Sequence, residues 1–301
     1  MTNLLSIKTS EKAALVRFYN LTNGNGWTTK TNWLTNPDIS TWYGVTVVNG
    51  KVSKLELASN NLVGNLSNWN PIYFSNLTIL TLNNNVNLVG DIGKWILPKN
   101  LIRIYISFDR FTGDLSNWVM PSTLQYLNLN NNYQLTGNIS NWGIPPNAVI
   151  YNLPSNQFTG DISGWVLPAS LTYLWVNNNL LSGNLSSWNL PPSLGYLRIN
   201  NNTINGTPNV SSNIWLRDYS CQNNALTQAN VDSVIQSIYN RRTAFLYASP
   251  ILNIGGTNTA PTGTYQVPVV CPALTGKERL HDLVNDSCGT GHKKWTVTYT
   301  A

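Results

Sequence analysis

Cys271, His281, Cys288 and His292 are the residues of this chain whose types could together do chemistry. Thiolate and imidazole are the ordinary ligands of zinc, and four of them would complete a tetrahedral site. Their spacing, C-x9-H-x6-C-x3-H, matches no common zinc pattern, so metal is the weak candidate. A simpler account is a disulfide between Cys271 and Cys288, closing a loop around an intervening helix, if the protein works outside a reducing cytosol. Free thiols are the third possibility.

Catalysis needs convergent acids, bases or nucleophiles. The 12 carboxylates are dispersed without a repeated pair, and His281 and His292 are the only histidines. No catalytic residue and no cofactor is expected, and a hydrolase is the least supported class. Lys and Arg are scattered, at Lys8, Lys12 and Arg17, at Arg241 and Arg242, and at Lys293 and Lys294. No run is dense enough for nucleic acid despite a net charge of +6. Asn takes 46 positions while charged residues make up only 10% of the chain, so the polar surface offers directional amides in place of a strong field. The opening MTNLLSIKTSEKAALVRF lacks a basic flank followed by an apolar core, and no apolar run approaches the roughly 18 residues of a membrane span. No membrane insertion is expected. An extracellular, cell-surface or virion location is expected, reached by processing or by a route such as lysis or virion assembly; the other course is that the chain stays inside.

The elements that would position any site are repeats. Leu171 to Pro192, LTYLWVNNNLLSGNLSSWNLPP, is one copy of a unit of about 23 residues that returns from Val52 to about Asn213. The unit reads L-x-x-L-x-L-x-x-N-x-L-x-G-x-[LI]-x-x-W-x-x-P-x-x. Its Asn falls at Asn60, Asn85, Asn132, Asn156, Asn179, Asn202 and Asn224, with Asp109 in the third place. Its Gly falls at Gly64, Gly90, Gly113, Gly137, Gly160, Gly183 and Gly206, and its Trp at Trp69, Trp95, Trp118, Trp142, Trp165 and Trp188. Alternation in the L-x-L pair sends Leu174 and Val176 inward and Trp175 and Asn177 outward along one parallel sheet. The turn Asn can both donate and accept, linking one coil to the next. An ionised Asp109 cannot donate, which predicts a third coil that is locally weaker or supplied with its donor by a neighbour. The Gly permits a positive-φ corner. The Trp column is expected to pack the convex edge, with ligand stacking the lesser reading.

This pattern is identified as that of the leucine-rich repeats, and G-x-[LI] resembles the G-x-I-P variant of the plant type. The short helix Ser10 to Asn20 followed by GW, NWL and WYGV is similar to the N-terminal capping segment of plant and bacterial members. Plant caps usually carry a cysteine pair around W-x-G-V, and its lack here favours a bacterial or phage-like relative. The resemblance implies an α/β solenoid, a right-handed leucine-rich repeat horseshoe with a parallel concave sheet. The expected parts are a helix and hairpin cap at 1–51, with the hairpin turn at Asn49-Gly50, and about eight coils at 52–226. A capping helix at 227–243 follows, then a strand and helix tail module at 244–301, with a helix from Gly276 to Asn285 and a final strand from Trp295 to Thr300. Cys221, at an inward aliphatic position, is expected to be a buried free thiol.

The outward columns of the sheet carry the candidate binding residues: Arg103, Tyr105, Tyr126, Asn128, Asn152, Tyr173, Trp175, Asn177, Tyr196 and Arg198. Parallel strands lie about 4.8 Å apart, so these should form aromatic patches rimmed by amides. Rings beside Asn and Arg anchor interfaces and also stack on sugars; the plainer reading is ordinary β-propensity. The expectation is a non-catalytic binding or adhesion protein that recognises a protein or glycan. The alternative is a structural subunit, self-associating into a filament or virion appendage through its terminal modules, because an unpaired strand edge such as that of WTVTYT templates another chain.

Overall fold

The computed structural model describes residues 10–210, 212–246, 249–263, 271, 273 and 275–299. The chain forms two compact units, Met1–Thr136 and Gly137–Ala301.

The first unit opens with helix α1, Glu11–Leu21, whose N-cap Ser10 accepts from the Ala13 amide. Ala14, Leu15, Phe18 and Tyr19 form its buried face. Trp27, Trp33 and Trp42 pack in series, with ring centroids 4.8 and 4.7 Å apart, and Phe18 lies 5.0 Å from Trp69. Together these rings close the end of the repeat core. Strands Val45–Val48 and Lys51–Glu56 pair antiparallel through Asn49 and Gly50, at φ 50° and 72°. The second strand then starts a parallel ladder of Ile79–Thr81, Arg103–Tyr105 and Tyr126–Asn128.

The second unit repeats the ladder in Ile150–Asn152, Tyr173–Trp175, Tyr196–Arg198 and Asp218–Ser220. Leu174, Val176, Leu197 and Ile199 are fully buried, each contributing about 1.5–3 kcal/mol of apolar burial. Cys221 is buried among them as a free thiol whose pKa burial pushes up to about 12, which leaves it unreactive.

A second parallel ladder, unforeseen in the sequence, runs along the x-L-x-G-x segments. It joins Val63–Asn65, Asn87–Asp91 and Arg110–Asp114 in the first unit, and Gln157–Asp161, Leu180–Asn184 and Thr203–Gly206 in the second. The repeat Gly sits inside these strands, not at a corner. Gly113 and Gly183 adopt φ 123° and 126°, and a Cβ there would collide with the carboxylates of Asp91 and Asp161 on the preceding coil. The Trp column is buried, and Trp118, Trp165 and Trp188 donate their indole N–H to the carbonyls of Ile92, Ile139 and Ile162.

The C-terminal segment adds two further strands. Ile251–Asn253 pairs in parallel with Asp218–Ser220, and Thr296–Thr298 pairs with Ile251–Asn253, so both continue the ladder. Asn258 takes up the turn asparagine's work: its amide donates to Cys221 and Ile254 carbonyls, and its oxygen accepts from the Asn224 and Leu226 amides. Helices α2, Gln228–Tyr239, and α3, Gly276–Asn285, therefore lie between strands. A helix can fill that place because it needs only one apolar stripe, here Val231, Val234, Ile235 and Ile238. The expected strand end at Thr300 and the stretch 264–270 lie outside the described residues.

Cys271 and Cys288 are joined in a disulfide, their Cα atoms 5.6 Å apart and 17 residues apart in sequence. Replacing both with Ser should lower stability by about 3 kcal/mol on the chain-entropy model, read as a shift of the denaturant midpoint. Intact mass with and without reductant should differ by two hydrogens, and equal masses would contradict the bridge.

Candidate ligand-binding face

In the first unit, parallel pairing sets Arg103 against Tyr126 and Tyr105 against Asn128. The Arg103 guanidinium lies 5.4 Å from the Tyr105 ring and 5.0 Å from the Tyr126 ring, a cation held between two aromatic faces. Burial raises the Tyr105 pKa, with the Arg103 charge opposing it in part. Asn128 turns its side-chain oxygen to its own backbone and accepts from the Asn130 amide at 3.2 Å.

In the second unit the outward residues form a denser group. Tyr173 pairs with Tyr196, and their rings stack 4.5 Å apart at 5°. Trp175 stands edge-on to both, at 5.5 and 6.3 Å. Arg198 covers the Trp175 ring at 4.9 Å and is fixed there by Asp218, whose Oδ2 accepts from Nε at 2.9 Å and from Nη2 at 2.6 Å. Asp218 is itself buried and its other oxygen accepts from the Ser220 hydroxyl. The charge of Arg198 is thus met within the protein, and its work is to hold the indole in place. Asn177 is half-buried on the same face, whereas Asn152 is buried and presents little to a ligand.

Two residues of this group lie outside the outward columns read from sequence. Trp215 and Arg217 sit just ahead of the strand Asp218–Ser220, where the preceding coil carries Ser193 and Gly195. Trp215 is 46% exposed, large for an indole. Arg217 lies 5.7 Å from the Tyr196 ring and donates to its hydroxyl at 3.2 Å. With Tyr173 and Tyr196 these residues wall a cleft of about 370 Å³, which Thr172, Ser193 and Gly195 also line. A bulky residue pair replacing small ones at one coil is the signal that marks it in sequence.

The cysteine and histidine set does not make a metal centre. The sulfurs of Cys271 and Cys288 are bonded to each other and carry no thiolate, which removes half the donors. His281 Nδ1 lies 2.6 Å from the Ser287 hydroxyl. His292 is buried, with Nδ1 against Thr290 and Asp286 and Nε2 on the Leu283 carbonyl. Among the described residues, no group of three or more His, Cys, Asp or Glu is placed to hold a metal ion, and no helix is long and apolar enough to cross a membrane.

No model of a known protein family matches the chain, and no curated protein does. Solved structures do. The crystal structure of PEPR1-AtPEP1 is 18% identical with a TM-score of 0.52, over 81% of this chain and 38% of that one. The LRR ectodomain of the plant membrane receptor kinase GASSHO1/SCHENGEN3 from Arabidopsis thaliana is 18% identical with a TM-score of 0.40, over 82% of this chain and 35% of that one. A plant ice-binding protein is 22% identical with a TM-score of 0.41, over 72% of this chain and 86% of that one. This chain therefore spans little more than a third of the first two of these structures. Identity this low speaks for the fold alone. The in-register parallel ladders, the turn-asparagine column and the likeness to PEPR1-AtPEP1 make the fold that of a leucine-rich repeat solenoid.

Proposed function

We propose that the protein is a non-catalytic binding module that takes its ligand on the outward face of its repeat strands, at Tyr173, Trp175, Tyr196 and Arg198. The carrying observation is the preformed ring cluster: three aromatic side chains on two adjacent strands, locked by an arginine whose own charge is already paired. Rigid aromatics lose little conformational freedom on binding, which is why they anchor interfaces. Arg103, Tyr105 and Tyr126 form a second, smaller group of the same kind in the first unit. The disulfide supports work outside a reducing cytosol. An adhesion or receptor-binding role at a bacterial or phage surface agrees with the N-terminal aromatic cap that lacks a cysteine pair.

The test is a combined glycan and protein array probed with the wild-type chain and with the double variant Trp175→Ala, Tyr196→Ala. The variant is expected to lose binding while its melting temperature stays nearly unchanged, because neither ring belongs to the buried core. Equal binding by the two proteins would overturn the proposal. A second reading, self-association, is favoured by the position of Thr296–Thr298 at the end of its ladder. Light scattering at high concentration decides it, and a monodisperse monomer rejects it.

A further inference from the structure

Arg103 and Arg198, the two arginines of the outward repeat columns, each lie against aromatic rings and differ in how their charge is met. Arg198 has Asp218 on the next strand. The next strand sets Tyr126 beside Arg103 and the strand before sets Ile79 there, and among the described residues no carboxylate pairs with it. Glu56, the acid in the outward columns of this unit, is two strands back, about 10 Å along the ladder. Arg103 is half-buried, and its Nε is buried without a hydrogen-bond partner. The tyrosine rings thus shut water from one side of the guanidinium and leave its Nη donors turned outward.

A desolvated donor and an unmet charge cost free energy. The ladder does not require them, because Lys54, Ile79 and Tyr126 hold the same column with the same in-register pairing. An anion docking on the Nη edge meets a cation already fixed in place and already part-dehydrated, which lowers two of the costs that make ordinary surface ion pairs weak. The planar fork of the guanidinium matches a carboxylate. The surroundings select what carries it. Thr81, Asn83, Asn128 and Asn130 give the neighbouring outward positions half-buried hydroxyls and amides, with Ile79 as the aliphatic beside Arg103. A protein interface has an apolar centre, whereas this surface suits a ligand dense in hydroxyls.

We infer that Arg103, clamped between Tyr105 and Tyr126, is the subsite for a carboxylate on one ring of an acidic oligosaccharide. The inference rests on the outward face binding a ligand, as proposed above, and adds the ligand class. The two Nη groups donate to the carboxylate oxygens in charge-assisted hydrogen bonds, the tyrosine rings hold the fork at its angle, and the amides around it take the ring hydroxyls.

The test is calorimetric titration of the full chain with an alginate oligosaccharide, which carries a carboxylate on each ring, with its carboxyl-reduced counterpart and with oligoglutamate. Alginate is expected to bind about tenfold or more tightly than either of the others, and to weaken as salt is raised. Arg103→Gln should bring alginate down to the level of the reduced sugar, and Arg103→Lys, which keeps the charge but not the fork, should recover only part of the loss. Lys54→Gln removes another cation of the same face and should change little. Thermal melts establish that each variant is folded. Equal binding of the two sugars, no binding of either, a preference for oligoglutamate, or an equal loss in Lys54→Gln and Arg103→Gln would each overturn the subsite. Loss of array binding in the Trp175→Ala, Tyr196→Ala variant combined with alginate binding indifferent to Arg103→Gln would overturn the subsite and leave the face standing. Failure of the face itself is read separately, from array binding that survives the double variant.

Discussion

Asp109→Asn is expected to stabilise the protein by about 2–4 kcal/mol at pH 7 and to change it little near pH 4. Asp109 holds the turn position that asparagine occupies on the neighbouring coils, and it is buried. Burial raises its pKa to about 8, against the one hydrogen bond its Oδ1 accepts from the Asn85 amide, which pulls it down. Its other oxygen is buried without a partner. The folded carboxyl therefore keeps its proton through neutral pH, while the unfolded one, with a pKa near 3.8, has lost it. Folding then takes up a proton between those two values. Stability contributed at this site is complete below the unfolded pKa, falls by about 1.4 kcal/mol for each pH unit above it, and is lost as pH rises through the folded pKa. An asparagine there would present the same oxygen to Asn85 and an NH2 in place of the titrating oxygen, with nothing to ionise. Urea unfolding of both proteins at several pH values between 4 and 8.5 checks this. A difference that does not grow with pH would contradict it. The weakness expected of the third coil is thus a pH-dependent one, because the acid avoids the missing donor by staying protonated.

Removing the turn asparagine three coils further along the chain should cost more than most core substitutions. Asn179→Leu is expected to destabilise by about 3–5 kcal/mol. The Asn179 amide donates to the carbonyls of Leu153 at 3.1 Å, Val176 at 3.0 Å and Asn177 at 3.2 Å, and its oxygen accepts from the Phe158 amide at 3.1 Å. One side chain thus closes its own turn and ties it to the coil before. Leucine nearly keeps the shape, so the loss comes from buried backbone groups left without partners, each costing about 1–3 kcal/mol. Asn177→Ala, two residues away but half-buried on the outward face, should stay within about 0.5 kcal/mol. Denaturant unfolding of the two variants side by side is the check, and equal costs would refute the distinction between ladder and face.

What the sequence by itself determined is whatever has a period. Alternation within L-x-L fixes that Leu174 and Val176 are buried while Tyr173 and Trp175 are not, and the pairing of Tyr173 with Tyr196 and of Trp175 with Arg198 follows from counting back from the asparagine. The Trp column, the helix at Glu11–Leu21 and the hairpin at Asn49-Gly50 were legible for the same reason, since each depends on neighbours close in the chain. Tertiary structure decided the rest. The coil closed by Asn258 was hidden because its turn is one residue longer than L-x-L-x-x-N, and because a helix replaces the usual back segment. Whether x-L-x-G-x segments become strands depends on carbonyls and amides of the coil beside them, which no local pattern contains. The cleft at Trp215 and Arg217, the Arg198–Asp218 pair and the proton on Asp109 arise from side chains about one coil apart in sequence or from burial itself. Rotamers and desolvation are set by what surrounds a residue in space, and a repeat unit specifies that surrounding only where its neighbours are also repeats.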